Sequence, residues 1–199
     1  MTVPPRPVGP SAVVVAGPPA SGKSSLGARL ARAVRAALLD QDVMTRPLVA
    51  VIAGLLGTPA DQLDDLRLRA ASRDAVYRAL LDTAVSNLAV GTPVVLIAPF
   101  AHERGDPRRW QLVRARLEAA GGTPSLLWMR CPTDELLRRL HTRAAPRDRA
   151  KLADPGKHLT AGVLAPPAVA HTVIDATLSA DRQLAQALAA LRSSGLAEE

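Results

Sequence analysis

Gly17-Pro18-Pro19-Ala20-Ser21-Gly22-Lys23-Ser24 matches the pattern G-x-x-x-x-G-K-[ST], in which a glycine-rich turn points its backbone N–H groups at phosphate oxygens. In this pattern the Lys reaches the β- and γ-phosphates, and the final hydroxyl binds Mg²⁺. Valines at 13–15 predict a buried strand before the stretch, and apolar residues at helical spacing from Leu26 predict a helix after it. We therefore predict a nucleotide-phosphate site that extends from Gly17 through Ser25, with Lys23 as its cation and Ser24 as a Mg²⁺ ligand.

Chain length and charge are those of one ordinary domain with an anionic ligand. The chain has 199 residues, with 25 Lys and Arg against 18 Asp and Glu, and its formal net charge is +7. The basic residues are scattered, and two Trp, one Tyr and one Phe offer few stacking platforms for bases. The charge therefore favours a phosphate-bearing small molecule over a nucleic acid as partner.

Targeting signals and domain limits follow from the same composition. The single Cys131 excludes an internal disulfide and suits a reducing compartment. The apolar run before the phosphate motif is short and leads to neither a cleavage site nor a membrane span. We expect a cytoplasmic protein with a flexible Pro-rich arm at 1–11 and a single domain at 12–199.

Two acids follow the second apolar run of the chain, Ala37-Leu38-Leu39. If this run is a strand that continues through the acids, Asp40 and Asp42 lie on the same face of the strand, because side chains alternate along an extended chain. Ligands of open α/β sheets bind outside the carboxyl ends of the strands, so both acids are candidate site residues. The alternative is that Asp42 only caps a segment that starts at Val43.

The remaining segments alternate between helical and strand patterns. The segment 43–71 is apolar but interrupted by Pro and Gly, which predicts short helices over the cleft. Further strands are expected near 93–98, 125–129 and 171–175, further helices near 73–90, 110–119, 136–143 and 178–191, and a charged loop at 102–109. This order predicts a three-layer α/β/α domain with a five-stranded parallel sheet, and the basic segment at about 143–165 is expected to form a lid.

The phosphate motif, the Asp40-x-Asp42 pair and Arg139-Leu140-His141-Thr142-Arg143 together resemble the small P-loop kinases. The pattern is most similar to chloramphenicol-phosphotransferase-like and zeta-toxin-like kinases and to bacterial ATP-binding proteins predicted to be kinases. The resemblance covers residues 12 to about 191. In that family an acid after the second strand orients and deprotonates an acceptor hydroxyl, and an R-L-x-x-R helix leads into a basic lid over the phosphates.

The resemblance implies a role for each matching residue. Asp42 and Lys23 would be catalytic together with Arg143, and Asp40 would hold Mg²⁺ with Ser24. The third strand, at 93–98, lacks the acid that many P-loop proteins place there, so Asp40 is expected to replace it, with Glu103 as a distant second choice. The arginines that would contact the nucleotide phosphates are Arg139, Arg143 and Arg147. Apart from the resemblance, the acceptor is expected under the segment 43–73, which makes Arg46 and Arg73 candidates to contact it, together with Arg104 at the end of the third strand.

The predicted activity is transfer of the γ-phosphate of ATP or GTP, with Mg²⁺, to a hydroxyl of a small molecule of antibiotic, nucleoside or sugar type. Two alternatives remain: an ATP-hydrolysing switch that is not a kinase, and a polynucleotide 5′-kinase. The lid arginines themselves have a second interpretation, as a solvated basic surface.

Overall fold

The structure is a computed structural model that describes residues 10–58, 65–143, 148 and 152–193. Five strands and nine helices of this part of the chain are, in order, β1 (Ser11–Ala16), α1 (Lys23–Ala33), β2 (Ala37–Asp40), α2 (Gln41–Leu55), α3 (Leu66–Ala89), β3 (Val94–Ile97), α4 (Ala101–Gly105), α5 (Pro107–Ala119), β4 (Thr123–Arg130), α6 (Thr133–Arg143), α7 (Pro155–His158), α8 (Ala161–Leu164), β5 (Thr172–Asp175) and α9 (Ala180–Ser193).

The strands form one parallel sheet in the order β2-β3-β1-β4-β5. β1 is central, pairs with β3 on one side and β4 on the other, and is buried along its whole length. The carboxyl ends of β1, β2 and β3 therefore meet at one edge of the sheet, where the phosphate motif and the predicted acids begin. The predicted five-stranded parallel α/β fold is confirmed.

Two hydrophobic clusters cover the two faces of the sheet, as the alternation of side chains along β1 requires. Val13 and Val15 pack with apolar residues of α1, α6 and α9. Val14 belongs to the other cluster, which includes apolar residues of α3 and α5. Helices on both faces make the predicted three-layer α/β/α arrangement.

Helix α1 approaches the sheet closely at Gly27. A Cβ atom at this position would lie 2.4 Å from Ile97 Cδ1 and 2.8 Å from Ile97 Cγ1, too close for any real contact. The missing side chain lets the first turns of α1, with the phosphate motif at their start, lie against β3.

Two regions of the chain differ from the expected helix and loop pattern. The segment 43–71 was predicted to form short helices, but α2 is a single 15-residue helix that runs through Pro47. Helix α3 begins at Leu66, earlier than the predicted start at 73. The predicted charged loop at 102–109 contains α4 and the start of α5, where Asp106 accepts a hydrogen bond from the backbone of Arg108. In this stretch Asp106 caps α5, whereas α4 begins after Phe100 without a side-chain cap, and composition alone reveals neither start.

Much of the predicted arm and part of the predicted lid lie outside the described residues, namely 1–9, 144–147 and 149–151. The later part of the predicted lid contains the two short helices α7 and α8. Within the described ranges, no helix has the length and apolar character needed to cross a bilayer.

Candidate active site

The phosphate motif forms a strained turn between β1 and α1. Gly22 has a φ of 92° and Ala20 a φ of 60°, both in the left-handed region, so the turn bends back sharply before the helix. A Cβ at Gly17 would lie 2.7 Å from Ser21 Oγ and 2.8 Å from Met129 Cβ. The buried hydroxyl of Ser21 has no hydrogen-bond partner among the described residues. Such a turn, with an unpartnered hydroxyl and the amides of a helix start, fits an anion.

Lys23 lies folded back across this turn. Its Nζ donates a 2.7 Å hydrogen bond to the Pro18 carbonyl. Desolvation lowers the pKa of Lys23 from 10.5 to about 8, while the nearby charges of Asp42 and Asp40 act in the opposite direction. A cation that burial disfavours gains when a phosphate oxygen arrives, so the ammonium is placed to bind anionic ligand.

Ser24 and Asp40 meet although 16 positions separate them. Ser24 Oγ donates a 2.7 Å hydrogen bond to Asp40 Oδ2, and the backbone N–H of Asp42 donates to Asp40 Oδ1 at 3.0 Å. The hydroxyl and the buried carboxylate are hard oxygen donors, the type that Mg²⁺ prefers, with room left for phosphate and water ligands. No described group of three or more His, Cys, Asp or Glu side chains could hold a metal by itself. The pair therefore fits Mg²⁺ shared with a phosphate ligand.

The expected strand-end placement of both acids is wrong for Asp42. β2 ends at Asp40, which caps α2, and Asp42 lies in the first turn of that helix. The predicted alternation on one strand face does not apply, because the chain turns helical at Gln41. The cap that was considered for Asp42 belongs to Asp40. Asp42 is nevertheless exposed to the same cavity as Lys23 and Asp40.

The two predicted phosphate-contacting arginines at the end of α6 line this cavity and are held by acids. Arg139 donates to Glu135 Oε1 and to the Ala176 carbonyl, both at 2.7 Å. Arg143 makes two 2.7 Å hydrogen bonds to the buried carboxylate of Asp148. Arg147 lies outside the described residues.

Arg104 is buried, which the sequence pattern did not predict. Its guanidinium donates to the carbonyls of Gly162, Val163 and Ala165, and it stacks 4.3 Å from the centre of the Trp128 ring. These contacts connect the end of the predicted lid to the end of α4. Arg104 borders the cavity, but most of its donors are already used.

Arg73 and Tyr77 form a second network across the cavity. Arg73 donates to Glu103 Oε1 at 2.9 Å and lies 4.5 Å from the centre of the Tyr77 ring. The Tyr77 hydroxyl accepts a 3.0 Å hydrogen bond from the backbone of Phe100, whose φ is 45°. Burial raises the pKa of Tyr77 above its ordinary value. Glu103, the second choice for the absent acid of β3, is paired with Arg73 and is not among the residues that line the cavity.

One cavity of about 810 Å³ is lined by groups from each of these contacts, among them Lys23, Ser24, Asp40, Arg73, Tyr77, Arg104, Arg139 and Arg143. It continues from the phosphate motif to the facing sides of α2 and α3, which is more space than a triphosphate alone needs. The residues of its lining that sequence reasoning did not assign to the site include Thr45, Val49, Arg69, Tyr77, Asp148, Lys157 and His158. The spacing of Arg69, Arg73 and Tyr77 is a readable helical signal, but it was obscured by the late predicted start of α3.

The chain matches one family model and many solved structures. The family model, described as an AAA domain, covers residues 13–160. No curated protein sequence matches the chain.

Three solved kinases share the fold at low sequence identity. A gluconokinase from Sinorhizobium meliloti 1021 aligns with a TM-score of 0.60 and 20% identity over 93% of each chain. A sugar kinase from Janibacter sp. HTCC2649 aligns with a TM-score of 0.65 and 16% identity over 96% of this chain and 99% of that one. The Mycobacterium tuberculosis APS kinase, solved with AMPPNP and APS, has a TM-score of 0.60 and 20% identity over 94% and 99%. These alignments confirm the fold implied by the resemblance to small P-loop kinases.

Proposed function

We propose that this chain, which belongs to the AAA domain family, is a phosphotransferase that moves the γ-phosphate of ATP to a hydroxyl of a small molecule. The observation that carries the proposal is the Ser24–Asp40 contact beside Lys23, in a cavity that continues past the phosphates to α2 and α3. A nucleotide would fill the first part, and the second part leaves space for an acceptor.

The nucleotide half would act mainly by positioning charge. The amides of residues 17–24 and the Lys23 ammonium would hold the β- and γ-phosphates. Ser24 and Asp40 would hold Mg²⁺, which when bound supplies positive charge to the phosphate oxygens. Arg139 and Arg143 border the same space and would spread positive charge over the transferring group.

The acceptor half would be organised by Asp42. We assign the role of general base, which accepts the proton of the acceptor hydroxyl, to the Asp42 carboxylate. Asp42 is exposed to the cavity and lies one helical turn from Arg46. In the transfer, the acceptor oxygen forms a bond to the γ-phosphorus while the bond from that phosphorus to the β–γ bridging oxygen breaks. ADP leaves with the electron pair, and the hydroxyl proton passes to Asp42.

Several observations support a kinase over the other candidates. The solved structures with this fold include kinases for gluconate, sugar, shikimate and APS by their names. The site holds no second strand-end acid at β3 of the kind many nucleotide switches use. Among Phe, Tyr and Trp, the described cavity lining contains Tyr77 alone, which does not favour a polynucleotide. ATP as a substrate and the lone Cys131 suit the cytoplasm as the place of action.

ATP consumption with and without a panel of hydroxyl-bearing acceptors tests the proposal. We expect slow hydrolysis alone, and faster ADP release with a phosphorylated product when the right acceptor is present. Intrinsic hydrolysis that no acceptor changes would favour the switch, and phosphorylation of a DNA or RNA 5′-hydroxyl would favour the polynucleotide kinase.

A further inference from the structure

The part of the cavity formed by α2 and α3 combines positive charge with apolar surface. Along each helix the lining residues recur at intervals of three or four positions, so each helix presents one face to the cavity. From α2 these residues are Gln41, Asp42, Thr45, Arg46 and Val49, and from α3 they are Leu68, Arg69, Ser72, Arg73, Val76 and Tyr77.

Two of the three arginines in this lining have no anionic partner among the described residues. Arg73 is paired with Glu103. Arg46 and Arg69 are exposed at the cavity, and within the described ranges no carboxylate or carbonyl oxygen pairs with either guanidinium. Asp42, the assigned base, is the only acid that the described lining of these two helices contains. The acceptor space therefore has more positive than negative charge.

The neutral hydroxyls of this lining are largely used within the protein. Thr45 Oγ1 donates to the Gln41 carbonyl at 2.8 Å, and Ser72 Oγ donates to the Leu68 carbonyl at 2.7 Å. The described lining of α2 and α3 contains one amide side chain, Gln41, and its aliphatic side chains are Val49, Leu68 and Val76. A neutral polyol would find few donors here, whereas an anion with an apolar body would find two guanidinium groups and an apolar wall.

We propose that the phosphate acceptor is itself an anion: a hydroxyl compound whose carboxylate or phosphate ester is bound by Arg46 and Arg69. Its ring or chain packs against Val49 and Val76. This inference rests on the proposed function, because it names the class of the acceptor in the same site. The hydroxyl of such an acceptor must approach the γ-phosphate and Asp42, which are both negative. The anionic group of the acceptor is therefore repelled, and cations on the far side of the cavity are needed to offset this repulsion.

Anion binding can be measured without knowing the acceptor. The protein is saturated with Mg²⁺ and AMPPNP so that the phosphate motif is occupied, and benzoate or inorganic phosphate is then added at constant ionic strength. Benzamide is the matched neutral probe. We expect benzoate, phosphate or both to raise the melting temperature saturably, and benzamide to have no such effect. The comparison of the two anions separates a carboxylate from a phosphate site.

Variants assign the effect to the two arginines. Arg46→Gln and Arg69→Gln should each weaken the anion response about tenfold, the usual size for a charged hydrogen bond. Arg78→Gln is the matched control, because Arg78 is an exposed arginine of the same helix α3 that does not line the cavity. Absence of a saturable response in the wild type, or an undiminished response in both Gln variants, would overturn the inference.

Steady-state kinetics of phosphate transfer are the second test of the inference. Acceptors are compared in pairs that differ mainly in charge: glycerate with glycerol, glycerol 3-phosphate with glycerol, gluconate with glucose, and 3-phenyllactate with its amide. We expect a higher kcat/KM for the anionic members and a raised KM with little change of kcat in Arg46→Gln. If the neutral member of a pair has a kcat/KM equal to that of its anionic match, the inference is overturned although the kinase activity stands. Failure of every acceptor would count against the proposed function, while the binding arm would still decide whether Arg46 and Arg69 form an anion site.

Discussion

The phosphate motif and the α2–α3 wall are two halves of one cavity that are built in different ways. The first half is made of backbone that turns at Gly17 and Gly22, and Lys23 of this motif is folded back across the turn with a lowered pKa. Arg139 and Arg143 border the same space. The second half is made of side chains on two helices, of which Arg46 and Arg69 are exposed.

This difference separates a general binding task from a specific one. Triphosphates are the same in every nucleotide, so a fixed turn of amides and a desolvated Lys suffice for them. Acceptors differ in size and charge, and exposed helix positions can change without disturbing the core. Substitutions in the first half should therefore affect nucleotide binding or the fold, and substitutions in the second should affect transfer to the acceptor.

Replacement of Lys23 should have the largest effect. Lys23→Met removes the ammonium that would contact the β- and γ-phosphates, so both transfer and nucleotide stabilisation should be lost. The expected gain of about 2.7 kcal/mol at a nucleotide concentration one hundred times Kd should fall to near zero in a thermal-shift titration. Arg32→Met, an exposed change farther along α1, serves as control and should keep the gain. A full gain in the Met variant would place the nucleotide elsewhere.

Asp42 should separate chemistry from nucleotide binding. Asp42→Asn keeps the size of the side chain but removes proton acceptance, so transfer to a verified acceptor should fall by about 10²- to 10⁴-fold. Nucleotide affinity at pH 7 should change little. Asp40→Asn, by contrast, should raise the Mg²⁺ concentration needed for half-maximal activity, because the carboxylate that contacts Ser24 is lost. If Asp42→Asn retains transfer and Asp40→Asn loses it without a change in Mg²⁺ dependence, the two roles are exchanged.

Ala substitutions at two helical glycines, one in each half, test how tightly the halves are packed. Gly27 of α1 has no space for a methyl group against Ile97, whereas a Cβ at Gly54 of α2 would meet nothing within 4 Å. Both Ala substitutions gain helix propensity, so Gly54→Ala should raise the free energy of unfolding by about 0.5–1 kcal/mol. Gly27→Ala adds a clash, so its free energy of unfolding in urea denaturation should be lower than that of Gly54→Ala by about 1–3 kcal/mol. Equal effects would mean that α1 can move away from β3 without cost.

The pH dependence of nucleotide binding should be the smallest effect. With a pKa of about 8 in the free protein, Lys23 is protonated at pH 7 and mostly neutral at pH 9. Phosphate binding needs the ammonium, so affinity measured by titration calorimetry should fall about tenfold between these values. Stability of the nucleotide-free protein should change in the opposite direction. Between about pH 8 and 10.5 the unfolded chain holds this proton more tightly, so the contribution of Lys23 to stability rises with pH.

Lys23→Met is the reference for both pH measurements. The differences in nucleotide affinity and in stability between this variant and the wild type should shrink as pH rises and Lys23 loses its proton, because only the charged side chain binds phosphate and is disfavoured by burial. A wild-type affinity that stays flat from pH 7 to 9 would contradict the assigned contact between Lys23 and the phosphates.

The prediction of the parallel sheet, its three layers and the phosphate turn from sequence succeeded because each signal is local. Eight consecutive residues specify the turn, and runs such as 13–15 are buried on both faces as central strands must be. The errors occurred where one side chain changes the course of the backbone. Asp40 caps α2 and moves Asp42 from a strand to a helix, and Asp106 begins α5 inside an expected loop.

By itself the sequence determined the fold class, the turn from Gly17 to Ser24, and the presence of an acid next to it, because these depend on neighbouring residues and on patterns of period two or 3.6. Only the tertiary structure decided which distant groups meet. Ser24 with Asp40, Arg73 with Glu103, and Arg104 with the carbonyls of Gly162, Val163 and Ala165 are contacts made after the helices have packed. The wall of Arg46 and Arg69 exists for the same reason: α2 and α3 face one cavity only once both have folded against the sheet.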